Sequence, residues 1–308
     1  MSTIAVTGAS GYVGTALVRR LVRGGHEVIA LIRSSDHLRV PVEGARYVSI
    51  GDLSAPRSPL SSHLEGAKAL YHLISPDPKL PAKIQKRVHV DGTKLLLDAA
   101  VERNVQWFCY LSSIKAMTGE SHPQPVRPGD RPQPSSPYGR YKLAAERMVL
   151  ERRDELPATI VRAPMVYGPG SSGNFARMQS WVTSGAPVPR FASGNARSIV
   201  FIDNLVDALL HLATRYPAAD TVVHVADAEP ISTNTLFDLI AQASNARLRR
   251  VPVASIVTRA LTHVPVMRGY VERLADALVM DTDSMSACGW QPPVTTREGI
   301  ARSAPRVD

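Results

Sequence analysis

Tyr138 and Lys142, in the run Pro137-Tyr138-Gly139-Arg140-Tyr141-Lys142, stand four residues apart. On a helix that spacing puts both side chains on one face. A phenol is too weak an acid to ionise near neutrality, with a pKa of about 10. A fixed ammonium beside it favours the phenolate, so such a pair can take up and return a proton. The bare pattern is weak evidence, because an exposed tyrosine and lysine on an amphipathic helix read the same way. Its weight depends on the elements that hold it. Pro137 suits a helix entrance, and Leu143, Ala144, Ala145, Met148, Val149 and Leu150 supply helix formers and apolar faces. The sequence therefore predicts a helix from Tyr138 to about Arg153.

A second group of residues handles phosphate. Ile4-Ala5-Val6 reads as a buried strand and runs into Thr7-Gly8-Ala9-Ser10-Gly11-Tyr12-Val13-Gly14. A helix follows through Ala16, Leu17, Val18 and Leu21, ends at Gly24-Gly25, and leads to the strand Glu27–Ile32. Strand, glycine-rich turn, helix, strand is a dinucleotide-binding unit. Gly8 permits the tight turn, Gly11 admits a pyrophosphate to the backbone, and Gly14 allows close helix packing. The helix N-terminus, with Tyr12 and Val13 in its first turn, offers free N–H groups to the phosphates. Arg33 closes the second strand, followed by Ser34 and Ser35. Arginine there accommodates a ribose 2′-phosphate, which favours NADP; Asp36 is near enough to leave NAD open.

Further strands are expected at Arg46–Ile50, Ala69–Ile74, Gln106–Leu111 and Ala158–Arg162, with a helix from Ile84 to about Glu102. The fifth strand delivers Ser112-Ser113 at its C-terminal end, where ligands of open α/β sheets bind. The proline-rich stretch 118–137 reads as a loop crossing toward the site. The fold class is α/β: a Rossmann-like, doubly wound parallel sheet with a smaller, mostly helical C-terminal substrate lobe. Residues 1–165 with 197–226 are assigned to the dinucleotide-binding domain, and 166–196 with 227–308 to the lobe.

Composition narrows the class. Of 308 residues, 44% are apolar and 20% charged, as in ordinary soluble globular proteins. No apolar run is long enough to span a bilayer, and the N-terminus lacks a signal-peptide layout, so no membrane association is expected. Cys109 and Cys288 are far apart and fit no metal or redox pattern. No metal is expected, and a cytoplasmic location is the default. The net charge of +9 favours an anionic partner. The arginines form neither a basic tail nor an aromatic-interleaved strip, which argues for a phosphorylated small molecule over nucleic acid.

Taken together the motifs resemble the extended short-chain dehydrogenase/reductase family, also called the NAD-dependent epimerase/dehydratase family. The resemblance rests on Thr7-Gly8-x-x-Gly11-x-x-Gly14, Gly51-Asp52-Leu53, Leu111-Ser112-Ser113-Ile114-Lys115, Tyr138-x-x-x-Lys142 and Arg162-Ala163-Pro164-Met165-Val166-Tyr167-Gly168-Pro169. It continues through Asn195-Ala196-Arg197-Ser198, Val200–Ala208 and Gly289-Trp290-Gln291-Pro292-Pro293. The serine segment, Gly173-Asn174-Phe175 and the Asn-Ala-Arg-Ser segment are most similar to the branch of UDP-sugar 4-epimerases and 4-ketoreductases. The resemblance implies that Tyr138 is the catalytic acid/base and that Lys142 lowers its pKa and holds the nicotinamide ribose. It implies that Ser113 hydrogen-bonds the reacting oxygen, that Asp52 and Leu53 contact the adenine, and that Asn174 and Arg197 hold the substrate diphosphate. It also implies a homodimer, paired through the helices Val88–Glu102 and Tyr138–Arg153.

Several residues depart from the family pattern. His89 stands where Asn usually precedes Val-Asp-Gly-Thr, and reads as a structural replacement. Ile114-Lys115 replaces the Asp-Glu pair that dehydratases use to eliminate water, which argues against dehydration. The expected activity is hydride transfer at a ring carbon, C4, of a nucleotide sugar, by epimerisation or by net ketoreduction. An NADPH-dependent reductase of a non-nucleotide carbonyl compound and a non-catalytic dinucleotide sensor are the alternatives, and fold alone does not choose among them.

Overall fold

Strands that are buried on both faces read as continuous apolar runs, and this chain builds its sheet from such runs. The computed structural model describes residues 2–35, 40–56, 59–76, 79–191, 195–214, 221–253 and 265–304. Asp36 lies outside the described residues. The chain divides into two compact units. The first is Met1–Met117, Arg131–Arg162 and Val206–Val223, and the second is Thr118–Asp130, Ala163–Leu205 and His224–Asp308.

The first unit is a seven-stranded parallel sheet with flanking helices. Its strands are β1 (Thr3–Thr7), β2 (Glu27–Ile32), β3 (Ala45–Ser49), β4 (Ala69–His72), β5 (Trp107–Ser113), β6 (Ala158–Ala163) and a last strand, Thr221–His224. The spatial order is Thr221–His224, β6, β5, β4, β1, β2, β3. The order reverses between β1 and β4, so their C-terminal ends open the crevice where such sheets bind ligands. β1 is in register with β2 from Thr3↔Glu27 to Thr7↔Leu31, and with β4 from Ile4↔Ala69 to Thr7↔His72.

Strand side chains alternate between two faces. Ala5, Leu70, Phe108, Tyr110 and Ile160 share one core with Leu96 and Ala100 of α3 (Gly92–Glu102) and with Ala145 and Val149 of α4 (Pro137–Glu151). Tyr71 packs edge-on against Trp107 at 5.3 Å and donates to Leu209 O on a helix spanning Ile202–Thr214. The expected single helix 84–102 is interrupted: α2 (Ala82–Lys86) passes through a π-helical turn, Arg87–Asp91, before α3. Such turns are uncommon and concentrate at functional sites.

The second unit takes in more of the chain than the assigned lobe. Strand β7 (Met165–Tyr167) pairs in parallel with β8 (Ile199–Phe201), and Arg197 bridges to both Ile231 and Leu278. Val126 bridges to Met280, which draws in Thr118–Asp130. These backbone pairings group residues 197–205 and 118–130 with the second unit, whereas the sequence reading places both stretches in the dinucleotide-binding domain. Its core centres on Tyr167, whose hydroxyl donates to Asp227 at 2.8 Å; Asp227 also accepts from the Phe201 amide and from Asn204.

Candidate active site

Helix α4 is held against the end of β5 by its own side chains. Ser136 caps it, accepting from the Gly139 amide at 3.1 Å, and Pro137 occupies the first turn. Gly139 makes the close approach possible: a Cβ there would lie 2.0 Å from Lys115 O. One face of α4 then presents Tyr138, Lys142 and Glu146, spaced one turn apart. They meet three consecutive residues of β5. Lys142 Nζ donates to Leu111 O at 2.8 Å, Ser112 Oγ donates to Glu146, and the hydroxyls of Ser113 and Ser75 act on the Tyr138 phenol and lower its pKa. The structure thus brings Ser113, Tyr138 and Lys142 together, and adds Ser75, which the sequence did not single out.

The charges here behave differently from the expectation. Burial holds the Tyr138 phenol above its ordinary range, and the hydroxyls of Ser75 and Ser113 are the groups that pull it back. The lysine was expected to lower it. Instead Lys142, 2% exposed, spends its ammonium on Leu111 O and on the face of Tyr110, 4.7 Å from the ring centroid. Burial pushes Lys142 itself down to about 7, against the opposing charge of Glu146. The lysine is therefore poised to change charge near neutrality, where an ordinary lysine would not.

Glu146 is 1% exposed and is held by Arg162, with Nη2 to Oε2 at 2.6 Å and Nε to Oε1 at 3.0 Å. The pair was not singled out in the sequence. The available signal was Glu146 lying four residues past Lys142 on the same face.

Two histidines line the other side. His72 is bracketed by Thr7 Oγ1 at 2.8 Å and Thr93 Oγ1 at 2.9 Å. Thr93 Oγ1 already donates to His89 O, so Nε2 of His72 carries the proton and Nδ1 accepts from Thr7. Burial pushes His72 down to about 3 and His89, aided by the charge of Lys142, down to about 2; both rings are neutral. His89 sits in the π-helical turn with its ring edge-on to Tyr138 at 5.5 Å. It packs on Tyr138 directly, which the expectation of a simple structural replacement did not include.

The glycine turn suits a dinucleotide. Gly8 has φ of +69°, and a Cβ on Gly14 would meet Gly8 O at 2.1 Å, so the first turn of α1 (Tyr12–Arg23) is pressed on the loop. Gly11 caps α1 with no side-chain partner, which leaves the first N–H groups to a ligand. Tyr12 and Val13 open the helix, both half-buried. Exposed Arg33 ends the β2 side of the crevice, and its charge, with that of Arg87 at 3.8 Å, acts on Asp52. Leu53 is 3% exposed and belongs to the core with Leu60, Leu64 and Leu96. The glycine turn and the α1 N-terminus fit a nicotinamide dinucleotide, whereas Leu53, expected at the adenine, is packed in the core.

In the second unit Asn174 is the exposed first residue of α5 (Asn174–Thr183). Arg197 is mostly engaged: Nη1 donates to Asp276 O at 2.8 Å and Glu272 O at 3.3 Å, and Nη2 to Glu120 O at 3.0 Å.

Residues 4–226 match the model of the NAD dependent epimerase/dehydratase family. The chain belongs to this family. Among curated members, UDP-glucose 4-epimerase of Vibrio cholerae is 29% identical over 314 residues, covering 98% of this chain and 94% of that protein. UDP-glucose 4-epimerase of Mycolicibacterium smegmatis is 27% identical over 323 residues, covering 97% and 96%. Solved epimerase-family structures share the fold. MoeE5 in complex with UDP-glucuronic acid and NAD has a TM-score of 0.80 at 24% identity, covering 98% of this chain and 97% of that one. UDP-glucuronic acid 4-epimerase from Bacillus cereus in complex with NAD has a TM-score of 0.79 at 19% identity, with the same coverage. Among the described residues no helix is long and apolar enough to cross a membrane.

Proposed function

We propose that this family member is a UDP-sugar 4-epimerase that uses a bound nicotinamide cofactor, with Ser113, Tyr138 and Lys142 as its catalytic groups. The observation that carries the reading is the convergence of the Tyr138 and Ser113 hydroxyls beside a buried, poised lysine at the C-terminal end of β5. The full-length similarity to two UDP-glucose 4-epimerases supports the substrate class. A nicotinamide dinucleotide held at the glycine turn by Gly8, Gly11 and Gly14 would supply reversible hydride transfer at a sugar ring carbon, with return to the opposite face of the keto sugar giving the epimer. Tyr138 Oη takes the proton of the C4 hydroxyl as the keto sugar forms and returns it to the same oxygen as the C4 epimer forms. Ser113 Oγ hydrogen-bonds the same oxygen, and the ammonium of Lys142 opposes the cost of the phenolate.

Asn174 and Arg197 hold the diphosphate in this reading. Arg197 would offer the Nε and second Nη2 donors beyond its three carbonyl contacts. The active species is a homodimer in the cytoplasm. NAD is the cofactor that the solved relatives carry in their complexes, and it suits a reaction with no net redox change. A second reading, NADP with net 4-ketoreduction, is supported by Arg33 and Ser34 at the end of β2. Incubation with UDP-glucose, UDP-galactose and their uronic acids, followed by NMR of the anomeric region, tests the proposal. C4 epimers are expected, and an unchanged panel would sink it.

A further inference from the structure

We propose that the buried Glu146–Arg162 pair sets the charge state of Lys142, making Glu146 a positioning residue for the acid/base pair. The inference rests on the catalytic reading above, in which Lys142 must be cationic to support Tyr138.

The argument starts from what Lys142 faces. On its own helix the titratable neighbours are Tyr138 and Glu146. From β5 it meets the ring of Tyr110, from β4 the neutral imidazole of His72, and from the π-helical turn the neutral imidazole of His89. Among these groups Glu146 is the one that carries negative charge. A carbonyl at 2.8 Å and an aromatic face are poor compensation for a desolvated ammonium. Glu146 is thus the counter-charge that keeps the proton on, and burial is the effect it opposes.

Glu146 is also not free to form a closer pair. Ser112 Oγ bonds one carboxylate oxygen, and the guanidinium of Arg162 grips both. The carboxylate is fixed one helical turn from Lys142, with its charge partly offset by Arg162. Two opposite charges of fixed position therefore act on the lysine. Removing Glu146 leaves net positive charge beside it and should drive the proton off. Removing Arg162 leaves net negative charge and should hold the proton more tightly.

That opposition separates tuning from mere scaffolding. Both single substitutions break the same buried pair, so a structural role would damage the protein in one direction for both. The experiment is an NMR titration of lysine labelled with ¹³C at Cε, on the cofactor-free full chain, with Lys142→Met to assign the resonance. In Glu146→Gln the Lys142 titration should move down by about one pH unit, and in Arg162→Gln up by about one. The double variant should return close to wild type. Glu146→Asp, which retains the charge, should stay close to wild type even if stability falls, and it carries the test if a single variant does not fold. Single variants that move together, or that leave the resonance in place, would overturn the proposal, as would a Glu146→Asp titration displaced as far as Glu146→Gln. The basic limb of the kcat/KM profile with a UDP-sugar should move in the same opposed directions. Opposed NMR shifts without turnover of any UDP-sugar would reject the epimerase reading and leave the tuning intact. Turnover with an unmoved Lys142 would do the reverse.

Discussion

Lys142 Nζ donates to Leu111 O at 2.8 Å, which ties the helix bearing Tyr138 to the strand that bears Ser113. The bond explains why an isolated Tyr-x-x-x-Lys pattern becomes a site. The lysine helps fix the separation of α4 from β5, and with it the placement of the Tyr138 hydroxyl relative to that of Ser113, the two groups proposed to act on the reacting oxygen.

Loss of the Tyr138 hydroxyl should remove proton transfer and leave the core alone. Tyr138→Phe is expected to lower kcat roughly 10²- to 10⁴-fold, with little change in the far-UV spectrum. Turnover near that of the wild type would move the acid/base role elsewhere.

Gly139 tests the placement of α4. A Cβ there would sit 2.0 Å from a backbone carbonyl, and neither element can yield cheaply. Gly139→Ala should destabilise by about 1–3 kcal/mol, as overpacking does, and should lower kcat more than it raises KM by shifting Tyr138 from Ser113. Thermal unfolding and steady-state kinetics on the same preparation check both parts. Unchanged kcat in a folded variant would mean that the close contact does not position Tyr138.

The buried lysine makes a prediction about stability and pH. In the unfolded chain Lys142 keeps its proton up to about pH 10.4. Folded, it releases the proton near about 7. Between these values the unfolded state binds more protons, so the contribution of Lys142 to stability rises with pH. Relative to wild type, Lys142→Met should be most favourable near about pH 6 and lose that advantage as pH approaches about 9. Denaturant unfolding across this range measures it, and a flat difference would show that the lysine does not titrate there.

Arg33 decides the cofactor question. If it receives a 2′-phosphate, wild type binds NADPH more tightly than NADH, and Arg33→Ala loses roughly 1.5–3 kcal/mol for NADPH alone. If the cofactor is NAD, wild type favours NADH, and the substitution changes little. Fluorescence titration of both reduced cofactors distinguishes the two outcomes.

Much of this was legible in the sequence, for physical reasons. The glycine turn and the buried strands follow from conformational and burial rules that act locally. Tyr138 and Lys142 share a helix, so their spacing alone puts them on one face. Ser75 could not be read in the same way, because it reaches Tyr138 from the end of a different strand. Arg162 belongs to β6, and its pairing with Glu146 depends on strand order. The π-helical turn that places His89 against Tyr138 has no propensity signature of its own. The direction of the Tyr138 shift was also hidden. Spacing gives the neighbour, but burial, which dominates here, is a property of the whole unit.

The most direct measurement of the central claim uses a UDP-sugar deuterated at C4. The wild-type protein, with its bound nicotinamide and no added reductant, should convert it to the C4 epimer with the deuterium retained and with no net change in reduced-nicotinamide absorbance. Tyr138→Phe should do so roughly 10²- to 10⁴-fold more slowly. Loss of the label with stoichiometric cofactor consumption, or no epimer from any UDP-sugar, would contradict the account.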